Sequence, residues 1–251
     1  MRTFFLAWQN EMSRKWFHVG RLRIDEDRHV FEYIRGVKNA LAAGFQPLVC
    51  FPDLLKPYES TNWFPVFESR IMPSTRPDFK EFVRRLDLDP ETAEPIQILA
   101  RSGGGSSTDA LEVFEPPVAV SDGRYRTLFF TKGLSHMHAG CDDVARNLKP
   151  GDRLRLAWEY QNPVDPCALL ILASRSLPVG WVPTYLAGDF LRDVVAGDAR
   201  SAVPPDATVI VERVNPDPDP IQQRVFCRFE GEWSSPPFSS EDYQTLSAEA
   251  I

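Results

Sequence analysis

The sequence predicts an α+β protein built of two strand-rich domains, and three observations carry that expectation. At 251 residues the chain exceeds the roughly 100–150 residues of one ordinary core. Its composition, 43% hydrophobic and 12% aromatic, suffices for packed interiors. It also holds 22 prolines against 14 glycines. Proline fixes φ and lacks a backbone donor, so long helices and uninterrupted central strands are disfavoured. Short strands joined by many turns remain.

The elements follow in order. Val19–Leu22 and His29–Ile34 read as strands joined by the charged turn at Asp25, the second with large side chains on both faces. Val37–Ala43 reads as a short helix ended by Gly44. Phe45–Phe51 reads as a third strand, closed by Pro52-Asp53. Arg76-Pro77-Asp78 opens a helix to about Leu86, with Phe79, Phe82, Val83 and Leu86 on one stripe. An apolar run resumes at Ile96–Ala100, a Gly-rich loop spans 101–109, and Leu111–Phe114 is a strand. Pro116-Pro117 to Gly123 is expected to be a linker, dividing residues 1–118 from 119–251. Beyond it, strands are expected at Thr127–Thr131, Arg153–Tyr160, Ala168–Ala173, Val179–Val182, Thr208–Val214 and Gln223–Phe229. Short helices fit Cys141–Leu148 and Thr184–Ala196, and the tail past Trp233 is expected to be frayed.

Charge and cysteine usage narrow the function classes. The net charge is −7; residues 119–251 hold 13 Lys/Arg against 18 Asp/Glu, and residues 1–118 hold 15 against 17. Broad nonspecific nucleic-acid binding rests on neutralising phosphates, so any such contact has to be a local patch. Cys50, Cys141, Cys167 and Cys227 are far apart, as reduced thiols are. The apolar start at Phe4–Trp8 is too short for a signal-peptide core, and no segment approaches the ~20 apolar residues of a membrane span. A cytoplasmic protein with no membrane partner is expected.

Three pieces of the second half stand in a telling order: Lys132-Gly133-Leu134-Ser135-His136-Met137, Asn162-Pro163-Val164-Asp165-Pro166-Cys167-Ala168, and Val179-Gly180-Trp181-Val182-Pro183-Thr184-Tyr185-Leu186-Ala187. Read on their own, Asn162-Pro163 sets a rigid turn and Asp165 can hydrogen-bond nearby amides. Together the three pieces resemble the HIRAN domain over roughly residues 124–233. The resemblance implies a small β-barrel with short helices whose pocket captures a single-stranded DNA 3′ end. Carried over position by position, it makes Ser135, His136, Asn162, Asp165, Trp181 and Thr184 the candidate nucleic-acid-binding residues. Ser135 and Thr184 stand where the family has cations, and Val164 where it has tyrosine; Asp165 is kept. Base stacking can still come from His136 or Trp181, whereas charge-assisted phosphate contacts cannot come from Ser135 or Thr184.

In the first half, Val19-Gly20-Arg21-Leu22, Phe31-Glu32-Tyr33, Gln46-Pro47-Leu48, Tyr58-Glu59-Ser60 and Phe64–Arg70 form another ordered set. It is similar to the N-terminal subdomain of HipA-type Ser/Thr kinases, over roughly residues 1–72. The catalytic part of such kinases is absent, with no phosphate-cradling loop followed by lysine. The resemblance implies a docking domain for a HipA-like kinase or another protein, and an antitoxin or regulatory subunit is the rival to nucleic-acid recognition. Trp63, Phe64 and Arg70 are the candidate partner-binding residues. Arg70, Arg76, Arg84 and Arg85 would form a local basic patch if they share a surface.

Other constellations point less far. His136, His138 and Cys141 have metal-ligating side chains but no evident fourth ligand, so no metal is expected. Gly103–Gly105, flanked by Arg101 and Thr108, has the composition of an anion nest but lacks the Gly-Lys-Ser/Thr of a P-loop. No nucleophile and base stand in a recognisable arrangement. The expectation is a non-enzymatic binding protein without a cofactor.

Overall fold

The computed structural model describes residues 2–25, 28–106, 109–121, 123–159, 161–165, 168–173, 177–187, 208–232 and 236–248. Cys167, Ser107, Thr108, Trp233 and residues 188–196 of the expected helix at Thr184–Ala196 lie outside them. The chain divides into two compact units, and the α+β, strand-rich class is observed in both. The first comprises Met1–Val83, Leu88–Pro116 and Phe238–Ile251; the second comprises Arg84–Asp87 and Pro117–Pro237.

In the first unit β1 (Arg2–Gln9), β2 (Trp16–Asp25), β3 (Arg28–Tyr33), β4 (Tyr58–Ser60) and β5 (Leu111–Phe114) form an antiparallel sheet in the order β4-β3-β2-β1-β5. The apolar start of the chain is thus an inner strand of this sheet. Its period of two explains why: Phe4 and Leu6 enter the core, while Phe5 faces Phe114, Phe238 and Tyr243. Helices α1 (Val37–Ala42), α2 (Pro65–Glu68) and α4 (Pro95–Ser102) belong to the unit, as does α3 (Phe79–Arg85) up to Val83. Helix α4 starts on a Glu94–Gln97 capping box with Pro95 in its first turn, and ends at left-handed Gly103.

Two expectations here are corrected. The segment 45–51 is not a strand. Pro47 cannot donate to a ladder, and Tyr33 ties the segment down instead: its hydroxyl donates to Phe51 O at 2.9 Å and accepts from Leu48 N at 2.8 Å. Burial pushes the Tyr33 phenol up to about 12, so it keeps the proton it donates. The described part of the C-terminal tail, residues 236–248, is not frayed either. Phe238, Tyr243 and Leu246 are buried, and backbone bonds tie Gln244 O to Arg35 N and Leu246 N to Tyr33 O. The tail belongs to the first unit, although the sequence grouped it with residues 119–251.

The second unit holds β6 (Val118–Ser121), β7 (Arg124–Phe130), α5 (Ala139–Asn147), β8 (Arg153–Trp158), β9 (Leu169–Leu172), β10 (Pro178–Trp181), α6 (Thr184–Ala187), β11 (Thr208–Val214) and β12 (Val225–Glu232). Seven strands run β10-β9-β8-β11-β12-β7-β6. The sheet curls into a half-barrel, and a bridge from Lys132 to Trp181 joins β10 to the chain just after β7. Val209, Val211, Val225, Cys227 and Phe229 are all buried, as alternation demands. The expected linker contains β6, an edge strand with every residue exposed. Pro116-Pro117 did not forbid it, because proline is tolerated at the start of an edge strand.

Candidate nucleic-acid interface

The three motifs of the second half meet. Lys132 N donates to Trp181 O and Trp181 N to Lys132 O, both at 2.9 Å, which sets the strand end of the first motif beside the third. Glycines permit that approach. Gly133 has φ +74°, and a methyl group there would lie 2.5 Å from Trp181 Cε3; Gly180 has φ +130°, with a methyl group 2.7 Å from Thr131 Cβ. The six-membered ring of the half-buried indole therefore lies against bare backbone.

A carboxylate joins the second motif to the third. Glu159 Oε2 accepts from Trp181 Nε1 and from Asn162 Nδ2, each at 2.7 Å. The other end of Asn162 closes the turn: its Oδ1 accepts from Val164 N and Asp165 N, both at 2.9 Å. Asp165 O then accepts from Ala168 N, leading the chain into β9. Asn162 is thus a turn residue with its amide committed, and Trp181 presents a ring whose orientation is fixed.

Ser135 and His136 sit on a single 3-10 turn, Leu134–His136, entered through left-handed Gly133, with both side chains exposed. Thr184 is half-buried and opens α6. The Lys132 ammonium lies 5.8 Å from the Tyr185 ring centroid, a cation–π pair beside the bridge. Sequence reasoning missed Glu159, Lys132 and Tyr185 as contributors. Lys132 and Tyr185 were within the quoted motifs, whereas Glu159 had no local signal, since its role depends on β8 lying near β10 in the sheet.

The arrangement has a definite chemical bias. It offers a fixed aromatic ring, an exposed imidazole and the Glu159 carboxylate. Carboxylates accept from hydroxyl and amine donors and repel phosphate. His138 takes no part: its Nδ1 accepts from Gly140 N at 3.2 Å and caps α5, while Cys141 is buried. Among the described residues no three His, Cys, Asp or Glu side chains gather as a metal site.

The partner-binding trio of the first unit is placed differently. Phe64 is buried against Phe51 and Phe67 with ring centroids 4.9 and 6.4 Å away, so it is core and not a presented ring. Trp63 is half-buried and packs on His29 at 4.8 Å. Arg70, with 6% of its side chain exposed, pairs with Asp109 and donates to Val66 O and Gly104 O, each at 2.8 Å. It is a clamp on the Gly-rich loop, which corrects its assignment as a partner contact. Three arginines of the expected basic patch are ion-paired: Arg70 with Asp109, Arg76 with Asp78 and Arg85 with Asp219.

No helix among the described residues is long and apolar enough to cross a membrane. No protein family, no curated protein and no solved structure matches the chain.

Proposed function

We propose that this chain is a non-enzymatic, cytoplasmic binding protein whose second unit takes the free 3′-hydroxyl end of a single-stranded DNA. The observation that carries the reading is that Glu159 joins Asn162 to Trp181, whose ring in turn lies against Gly133. Three motifs that resemble a HIRAN domain in sequence are brought together, with an aromatic ring for a terminal base and the Glu159 carboxylate for a sugar hydroxyl. The lost cations fit this reading, because a hydroxyl terminus needs an acceptor more than it needs a positive charge. Unpaired Cys50, Cys141 and Cys227 accord with a reducing compartment.

The test is fluorescence anisotropy at low salt with labelled oligonucleotides ending in a 3′-hydroxyl or a 3′-phosphate. The hydroxyl strand should bind more tightly. Trp181→Ala and His136→Ala should each weaken it by about 5- to 100-fold, the equivalent of one lost base stack. Trp181→Phe retains a ring while removing the Nε1 donor, and should lie between wild type and Trp181→Ala. Equal binding of the two strands, or no binding of either, overturns the proposal.

A further inference from the structure

The second unit has another concavity, unrelated to the three motifs, between the C-terminal end of α5 and the end of β11. It encloses about 530 Å³, a volume typical of small-ligand sites. Leu148, Pro150, Val214 and Pro216 give it apolar walls, and Arg146, Glu212, Arg213 and Asp217 give it charge.

The state of each charge differs, and that difference selects a ligand. Glu212 accepts from Arg228 Nε at 2.5 Å. Asp217 takes Arg224 at 2.5 Å and Arg146 at 3.1 Å, and the Arg224 hydrogen bond holds its carboxyl below the usual range. Arg146 also pairs with Asp142 at 2.5 Å. Arg213 alone is neutralised by none of them. Its Nε donates to Asn215 Oδ1 at 2.7 Å, and among the described residues its two terminal amines make no other hydrogen bond or ion pair.

Arg213 is also held in place. Asn215 is completely buried, and its amide donates to Arg85 O at 3.0 Å and Gln223 O at 2.7 Å. With the Asn215 side chain fixed, its oxygen fixes the Arg213 guanidinium through Nε. The terminal amines are left to the cavity as a pre-oriented fork, the geometry that receives one carboxylate side-on. The neighbouring Glu212 and Asp217 disfavour a dianion there, so a phosphate is a poorer fit than a single carboxylate.

We propose that this cavity binds the carboxylate of a ligand with an apolar body, either a free organic acid or the C-terminus of a peptide, with Arg213 as the anion receptor. The inference is independent of the nucleic-acid reading. It is tested on the full chain by following the Arg213 Nε–H resonance. The probes are N-acetylleucine, N-acetylleucinamide, and an N-acetylated tetrapeptide ending in leucine with a free or amidated terminus. The free acids should give saturable shifts, with the amides about tenfold weaker or worse. A tetrapeptide acid tighter than N-acetylleucine identifies a peptide terminus as the source; equal affinities identify a free acid. Arg213→Gln should abolish acid binding, followed by Trp fluorescence for this variant, with an unchanged melting temperature showing that the fold survives. No saturable shift up to roughly 20 mM, well beyond the millimolar limit of useful affinity, overturns the proposal. So does equal binding of acid and amide, or retained binding in folded Arg213→Gln.

Discussion

The two units place their notable polar and aromatic side chains in opposite ways. In the first, Phe64 and Arg70 turn inward, one into an aromatic cluster and the other onto backbone carbonyls of α2 and the Gly-rich loop. In the second, Ser135 and His136 turn outward, and Trp181 is held half-buried by Glu159. Backbone hydrogen bonding explains the contrast. The end of α2 and the loop at Gly104 leave carbonyls without a ladder partner, and a long guanidinium is the side chain that can reach them. The turn at Leu134–His136 satisfies itself, since His136 N donates to Gly133 O and Met137 N to Leu134 O. Its side chains are therefore free to face solvent. A side chain that closes backbone gaps belongs to the fold; one on a self-satisfied turn is available to a ligand.

The sharpest way to break this contrast is to delete the inward side chains. Arg70→Ala removes the ion-pair partner of Asp109 and the donor to two carbonyls, and with Asp109 32% exposed should cost about 3 kcal/mol, the low end for half-broken buried pairs. Phe64→Ala removes a core ring and should cost about 3 kcal/mol. Both are read as lowered urea midpoints, with oligonucleotide affinity unchanged in whatever fraction remains folded. If Arg70 instead served a partner, its removal would leave the midpoint where it was.

Gly133→Ala stands next in size and probes the other side of the comparison. The added methyl group meets the Trp181 ring at 2.5 Å, and φ +74° is unfavourable for alanine. A loss of about 1–3 kcal/mol is expected from the backbone strain. The displaced indole should also lose its bond to Glu159, so 3′-end affinity should fall along with stability. A variant that is destabilised but binds normally would show that the Trp181 ring is not part of the interface.

Much of this architecture could be read from residues. Alternation in β2 and β3, the helix stop at Gly44 and the short spacing of the late strands are local properties, and each was legible. What escaped depended on partners distant in sequence. The segment 45–51 looks like a strand until Tyr33 is seen satisfying its backbone. The tail looks frayed because Phe238, Tyr243 and Leu246 are separated by polar residues, and only the aromatic face formed by Phe5 and Phe114 gives the two rings a place, while Leu246 joins the main core. Convergence of the motifs followed from their order. The central position of Glu159 did not, because an acidic residue at a strand end has no distinguishing neighbours.

The smallest expected effect concerns His29, which couples the inward-facing surroundings of Trp63 to pH. His29 is 8% exposed, packs against Trp63 with the rings tilted, and has a buried Nδ1 with no hydrogen-bond partner among the described residues. Burial lowers its pKa below the usual imidazole value, against a smaller opposing effect from its hydrogen bond to the Ser60 backbone. The unfolded chain therefore takes up this proton before the folded one does. The His29 contribution to stability is complete above about pH 6.5 and is lost as pH falls through that value towards the lower folded pKa. The slope from one such group is at most about 1.4 kcal/mol per pH unit. His29→Phe should flatten the urea midpoint between about pH 7 and 5 relative to wild type, while leaving the carboxylate-dependent loss at lower pH. Parallel curves for the two proteins would mean that the folded site admits the proton, and hence that Trp63 shields His29 less than its packing implies.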